Sequence, residues 1–331
     1  MNRRTFLSTF AASFLVAQII AVQAQQAGKI PRLCFLTFES GTFQSRSARF
    51  DVFFGALHDL GYVNGKTINI DYLSADGKGE KYPAMAAECV RLKADIIVVS
   101  TTPAAQAAKS ATRTIPIVMI ALGDPVGTGL VDSLVRPGGN VTGVTLMTSG
   151  FAAKRLALLK ELVPGISRVL VLSYLVDPIA PLQVKALKEA APLLGLTLDI
   201  RDIRTADDLP AAFEAGVKQR AQGLLVTAES IFLIERARVT ELAARYRLPA
   251  IYAYAPFVVD SAGLMAYDVS VPDLHGRTAT YVDQILKGAK PAELPVQQPT
   301  KVELVINLKT AKTLGLTIPP SVLVRADKVI E

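Results

Sequence analysis

Residues 94–108, ADIIVVSTTPAAQAA, lead at 114–126 into TIPIVMIALGDPV, and nearly the same succession returns as AQGLLVTAESIFLIE (221–235) and RLPAIYAYAPFV (247–258). In each copy an apolar run passes through a short polar turn into a helical pattern and then into a second apolar run. Strands that are apolar throughout and separated by helices belong to a parallel sheet covered on both faces. The repetition predicts two similar doubly wound α/β lobes with a cleft between them.

The flanking segments extend both copies. RLCFLTF reads as a buried strand, and in SARFDVFFGALHDLG the residues Phe50, Phe53, Phe54, Leu57 and Leu60 recur at helical spacing. TINIDYL (strand) and KYPAMAAECVRLKA (helix) complete the first unit. SRVLVLSY, PLQVKALKEAAPLLG, TLDIRDI and LPAAFEAGVKQRA repeat that order in the second, and IFLIERARVTELAARY reads as one further helix. Open α/β sheets bind ligands beyond the carboxyl ends of their strands. Thr101 and Thr102 therefore oppose Ala228 and Glu229, and the end of IPIVMIALGDP opposes the end of LPAIYAYAP.

Those strand ends supply the candidate ligand-binding residues: Phe38, Thr101, Thr102, Asp124, Tyr174, Glu229, Tyr254 and Asp268. The aromatic members, with Tyr252 and Phe257 nearby, suit an apolar and partly aromatic solute. Asp124 and Glu229, on opposite lobes, suit an amino group; Thr101, Thr102 and helix N–H groups suit a carboxylate.

The stretch GDPVGTGLVDSLVRPGGNVTG (123–143) holds six glycines and two prolines, yet it is not a phosphate cradle. A phosphate loop runs from a strand into a helix N-terminus, whereas RPGGN feeds the β-branched VTGVTL. Asp124 is expected to cap a short helix VGTGLVDSL with Pro125 at its first position. GYVNGKT has three residues between its glycines where a P-loop needs four, and it joins a helix to a strand. His58 and His275 form no metal spacing, and no Gly-x-Ser-x-Gly elbow occurs. No catalytic residue, metal or cofactor is expected.

The N-terminus, MNRRTFLSTFAASFLVAQIIAVQA, has a basic start, an apolar run and small residues Val22 and Ala24 before Gln25. It reads as an export signal over 1–24, of general secretory or twin-arginine type. The expected location is the periplasm. Beyond it no apolar run reaches the roughly 18 residues of a membrane span, despite a mean hydropathy of +0.34. Losing Arg3 and Arg4 lowers the formal charge from +7 to +5, and the remaining bases are interspersed with acids. No basic stripe with interleaved aromatics marks a nucleic-acid partner. Cys34 and Cys89 are the only cysteines; they are read as two buried free thiols, although export makes a disulfide chemically feasible.

The segments GDPVGTGLVDSLVRPGGNVTGVT and YVDQILKGAKPAELPVQQPTKVELVINLKTAKTLGLTIPPSVLVRADKVIE resemble those of the periplasmic substrate-binding proteins of ABC transporters. The resemblance is closest to the family that includes the tryptophan-binding TrpX proteins. It implies a type I binding-protein fold with crossings near Met147, Val269 and Glu303. The lobes would be 30–147 plus 270–302 and 148–269 plus 303–331. It also implies a monomer that captures a small molecule, an amino acid or an aromatic or branched carboxylate, and delivers it to an inner-membrane ABC permease. A ligand-sensing subunit of a membrane receptor and an exported enzyme are the alternative readings.

Overall fold

The computed structural model describes residues 29–331 except 122, 270 and 300; the export signal expected over 1–24 lies outside the described residues. Five strands, Arg32–Thr37 (β1), Asn69–Ser74 (β2), Ile96–Val99 (β3), Ile117–Ala121 (β4) and Val141–Thr145 (β5), form a parallel sheet in the order β2-β1-β3-β4-β5. A second sheet contains Arg168–Ser173 (β6), Thr197–Asp202 (β7), Gly223–Val226 (β8), Ala250–Tyr252 (β9), Met265–Val269 (β10), Val302–Asn307 (β11) and Lys328–Ile330 (β12). Its order is β12-β11-β10-β9-β8-β6-β7, with only β10 and β11 antiparallel. The run β7-β6-β8-β9-β10 repeats β2-β1-β3-β4-β5, so the duplication read from the sequence is a duplication of topology.

Burial on both faces explains the lack of polar alternation in these strands. In β1, Leu33 and Phe35 pack against Phe50 and the helix Asp51–Asp59 (α1), while Cys34 and Leu36 face the helices Tyr82–Arg91 (α2) and Thr102–Ala111 (α3). Opposite pleats of one strand thus feed two different core clusters.

Cys34 and Cys89 are not free thiols. They form a disulfide joining β1 to α2, with Cα atoms 5.8 Å apart. Both side chains are fully buried, and the separation falls in the range that a disulfide spans without backbone movement. The pairing arises because α2 crosses the pleat of β1 that carries Cys34.

Two other expectations change. No helix follows Asp124: residues 125–130 turn back on themselves. The Asp124 side chain still accepts from Val126 N at 3.0 Å, but Gly127 and Gly129 follow at once and extended helix is lost. Likewise IFLIERARVTELAARY is two helices, Ser230–Ile234 (α4) and Arg236–Arg245 (α5), because Glu235 leaves helical geometry at φ −84°, ψ 14°.

After β10 the helix Val271–Leu286 (α6) packs beside α1 on the first sheet. Tyr62 donates to Asp283 at 3.0 Å, and a ring nitrogen of His275 (Nδ1) lies 2.7 Å from the Arg49 carbonyl. Gln297 then runs alongside β5, its N–H donating to Gly143 O at 3.0 Å and its carbonyl accepting from Thr145 N at 2.9 Å. Only afterwards does the chain re-enter the second sheet as β11. The carboxyl ends of β1 and β3 face those of β6 and β8, and the functional side chains converge there.

Candidate functional site

Two chambers open between the sheets, each walled from both sides. The outer one, of ≈ 230 Å³, is lined by Phe38, Tyr82 and Thr101 from the first unit and Tyr174, Asp177 and Ile231 from the second. The inner one, of ≈ 550 Å³, is lined by Arg49, Ser100 and His275 on one side and Leu233, Tyr254 and Asp268 on the other. The short helix α4 sends Ile231 to the first chamber and Leu233 to the second. Adjacent residues of the β3–α3 turn, Ser100 and Thr101, divide in the same way.

The outer chamber is shaped by two helix starts. Thr101 caps α3: its hydroxyl oxygen accepts from Ala104 N at 3.2 Å and donates to the Tyr82 hydroxyl at 2.9 Å. That bond ties the cap to the first residue of α2. Facing them, Asp177 is 3% exposed and accepts from Ile179 N at 3.1 Å. Burial pushes the Asp177 carboxyl up to about 7, only partly offset by that N–H. Burial, followed by the charges of Asp177 and Glu80, raises the Tyr174 phenol.

The inner chamber has different electrostatics. Tyr254 donates to Ala228 O at 2.6 Å, and Asp268 accepts from Ala255 N and Val269 N, each at 2.7 Å. Burial pushes Asp268 up to about 6, while those N–H groups and Arg155 behind it pull the other way. Arg155 is fully buried; burial pushes it down to about 10, against the pull of Asp268. Its Nε donates to Tyr267 O at 3.2 Å. His275, buried beside Arg49, is pushed down to about 4 by burial, with the Arg49 charge adding to the effect. Arg49 itself is ion-paired with Glu39.

Of the residues expected from the sequence, Phe38, Thr101 and Tyr174 line the outer chamber, and Tyr254 and Asp268 line the inner one. The other three line neither. Thr102 is buried and its hydroxyl has no hydrogen-bond partner. Glu229 is fully buried, accepting from Gln183 Nε2 at 2.9 Å and from the Thr227 hydroxyl. Asp124 belongs to a turn that meets the second unit directly: a Cβ placed on Gly123 would lie 2.0 Å from Ile179 Cγ2. This glycine is required by close approach, and its segment is a contact between lobes.

Sequence reasoning missed Tyr82, Asp177, Arg49, Ser100 and His275. A signal for Asp177 existed in SYLVDP, which follows a strand end with an Asp-Pro pair as ALGDP does. Tyr82 offered less, because a Tyr before the first proline of a helix is equally at home in a core.

A model of the family described as ABC transporter substrate binding protein matches residues 43–330. The chain belongs to that family. It is a solute-binding protein of the ABC transporter class, a family of binding proteins and not of enzymes. A tyrosine-binding protein from Clostridioides difficile is 30% identical over 266 residues, 80% of this chain and 75% of that one. The ABC domain in complex with L-Trp from Streptococcus pneumonia superposes with a TM-score of 0.81 at 29% identity, covering 91% of this binding protein and 100% of that chain. The ligand-free, open structure of a substrate binding protein with adhesive properties from Clostridium difficile reaches only 0.63 at 26% identity, covering 91% and 99%. Whatever the relatives' states, the close approach of Gly123 to Ile179 puts the two units in direct contact here.

Proposed function

We propose that this binding protein captures one small solute in the outer chamber and presents the closed form to an inner-membrane ABC permease from the periplasm. The solute is an amino acid or related amine with an aromatic or branched apolar part. The observation that carries this reading is the composition of the chamber: three aromatic rings and a buried carboxylate, drawn from both lobes, so that closure completes the enclosure. The tyrosine-binding and L-Trp-bound relatives support the same solute class. Residues 30–147 plus 270–302 and 148–269 plus 303–331 would move as two units, with Met147, at φ 48°, at the first crossing.

Thermal-shift screening against aromatic and branched amino acids, their amines, purines and sugars tests the proposal. A solute bound only by the folded state raises the melting temperature. A shift with aromatic or branched solutes is expected; a shift confined to sugars would overturn the solute class. Gly123→Val supplies a second test, since its side chain would occupy the space of Ile179 in the closed form. Weaker capture with little change in melting temperature is expected.

A further inference from the structure

Capture in the outer chamber leaves the inner one, of ≈ 550 Å³, without a role. That volume lies in the range of small-molecule sites. Its walls come from the three places where the chain passes between the sheets: Leu146 follows β5, Val269 ends β10 and Glu303 lies at the start of β11. A molecule held there touches both lobes and favours the arrangement that encloses it.

Charge on these walls is already matched. Arg49 is ion-paired with Glu39 and lies over the Phe50 ring, its guanidinium carbon 4.4 Å from the centroid. Glu303 pairs with Lys301 at 2.8 Å, and each oxygen of Asp268 accepts a backbone N–H. A charged solute would therefore lose its hydration here without meeting a free counter-ion. Between those groups the walls are apolar, built from Val52, Ile120, Leu146, Leu233 and Val269.

Two uncharged polar groups on the walls are unengaged. Ser100 is 2% exposed, and its hydroxyl has no hydrogen-bond partner among the described residues. His275 has Nδ1 2.7 Å from the Arg49 carbonyl, which can only accept. The proton of the neutral ring is therefore on Nδ1, and Nε2 is a bare acceptor. In an apolar, charge-matched cavity, such groups call for a partner that donates a hydrogen bond and carries no charge.

We infer that the inner chamber is a second binding site, which takes an uncharged, apolar-bodied molecule with one N–H or O–H donor directed at His275 Nε2. The site stands on the inner chamber alone, whatever the outer chamber captures.

The chain contains no tryptophan, so the fluorescence of added indole reports its own binding without a tryptophan background. Titrations with indole and 1-methylindole test the site in the parent protein and three variants, each first checked for cooperative melting. A Cβ on Gly79 would meet the rings of Phe38, Tyr82 and Tyr174 at 4.0 Å, so Gly79→Leu fills the outer chamber. Val52→Phe, at a position 42% exposed, narrows the inner one without crowding the core. His275→Phe keeps a ring stacked on Phe50 and removes the acceptor.

The parent and Gly79→Leu should bind indole equally, and Val52→Phe should bind it several-fold more weakly. 1-Methylindole should bind about fivefold more weakly than indole, the worth of one uncharged hydrogen bond, and His275→Phe should erase that preference. In Gly79→Leu, tryptamine and indole-3-acetate should bind more weakly than indole, because each brings a charge. Indole affinity lost in Gly79→Leu, or unchanged in Val52→Phe, would overturn the inference and leave the proposed function standing. So would no indole binding by the parent, equal binding of indole and 1-methylindole, or preference for a charged congener in Gly79→Leu.

Discussion

The two lobes place a strand–helix contact at the same point and close it differently. In the first, Cys34 of β1 meets Cys89 of α2 and the contact is covalent. In the second, Leu170 of β6 meets Gly216 of the helix Asp208–Lys218, where a Cβ on the glycine would come within 2.8 Å of Leu170 Cδ2. The surroundings correspond closely: Lys93 and Arg220, just past the two helices, both have left-handed backbone, at φ 55° and 61°. Asp95 N donates to Arg32 O at 2.8 Å, and Gln222 N to Arg168 O at 2.9 Å. Close approach of helix to strand is what the fold demands. One lobe achieves it with a small residue under a large one, the other with a bond that survives only in an oxidising compartment.

The largest expected effect breaks that contact. Replacing both cysteines by alanine removes a crosslink closing 55 residues of sequence, worth about 4 kcal/mol on loop-entropy grounds. Urea unfolding should show it, and reductant should destabilise the parent protein but not the variant. An equal response of both proteins to reductant would show that the bond contributes nothing.

Next in size is Glu229→Ala, expected to cost about 3 kcal/mol because Gln183 and Thr227 lose a buried acceptor. Glu229 also ties stability to pH. Burial, with Asp177 adding to it, pushes its carboxyl up to about 8 from the usual 4.5. A raised carboxyl favours the folded state most where it is protonated, so its contribution is complete below about pH 4.5 and is lost as pH rises through about 8. Asp177 and Asp268, raised to about 7 and about 6, act in the same sense. Denaturation at pH 5, 7 and 9 should give a falling series, shallower in Glu229→Gln.

In the second lobe, Gly216→Val overfills the contact and should cost about 2 kcal/mol. Leu170 is flexible at its end, so Gly216→Ala should cost clearly less. Equal losses for the two would mean that Leu170 cannot yield.

Legibility in the sequence followed the same line. Continuous apolar runs such as ADIIVVS and QGLLVTA carry strand type, order and duplication in the residues themselves, and all of that is found in the two sheets. Cys34 and Cys89 were visible, but their pairing depends on which pleat of β1 faces α2, a matter of helix placement. Asp124 and Glu229 fall at strand ends as expected. Whether such a side chain points into a chamber or behind it is set by neighbours such as Gln183 and Ile179, distant in sequence. The turn after Asp124 shows the same limit locally: cap and proline are present, but two glycines within five residues dissolve the helix.

The smallest effect concerns the facing turns, and it makes the lobes more alike. Thr101 and Ala228 occupy matching positions after β3 and β8. Thr101 caps its helix, whereas α4 has no side-chain cap and Ala228 N is held instead by Gln183 Oε1 at 3.0 Å. Thr101→Ala gives the first turn the residue of the second. Losing the cap should cost about 1 kcal/mol, read by urea denaturation without solute. The same change frees the Tyr82 hydroxyl from its bond to Thr101 and so loosens one wall of the outer chamber. Thr101→Ser restores both bonds and should restore stability and affinity together. Should Ser recover stability while affinity stays low, the threonine methyl would be packing against solute, and the turn would be part of the recognition surface as well as its support.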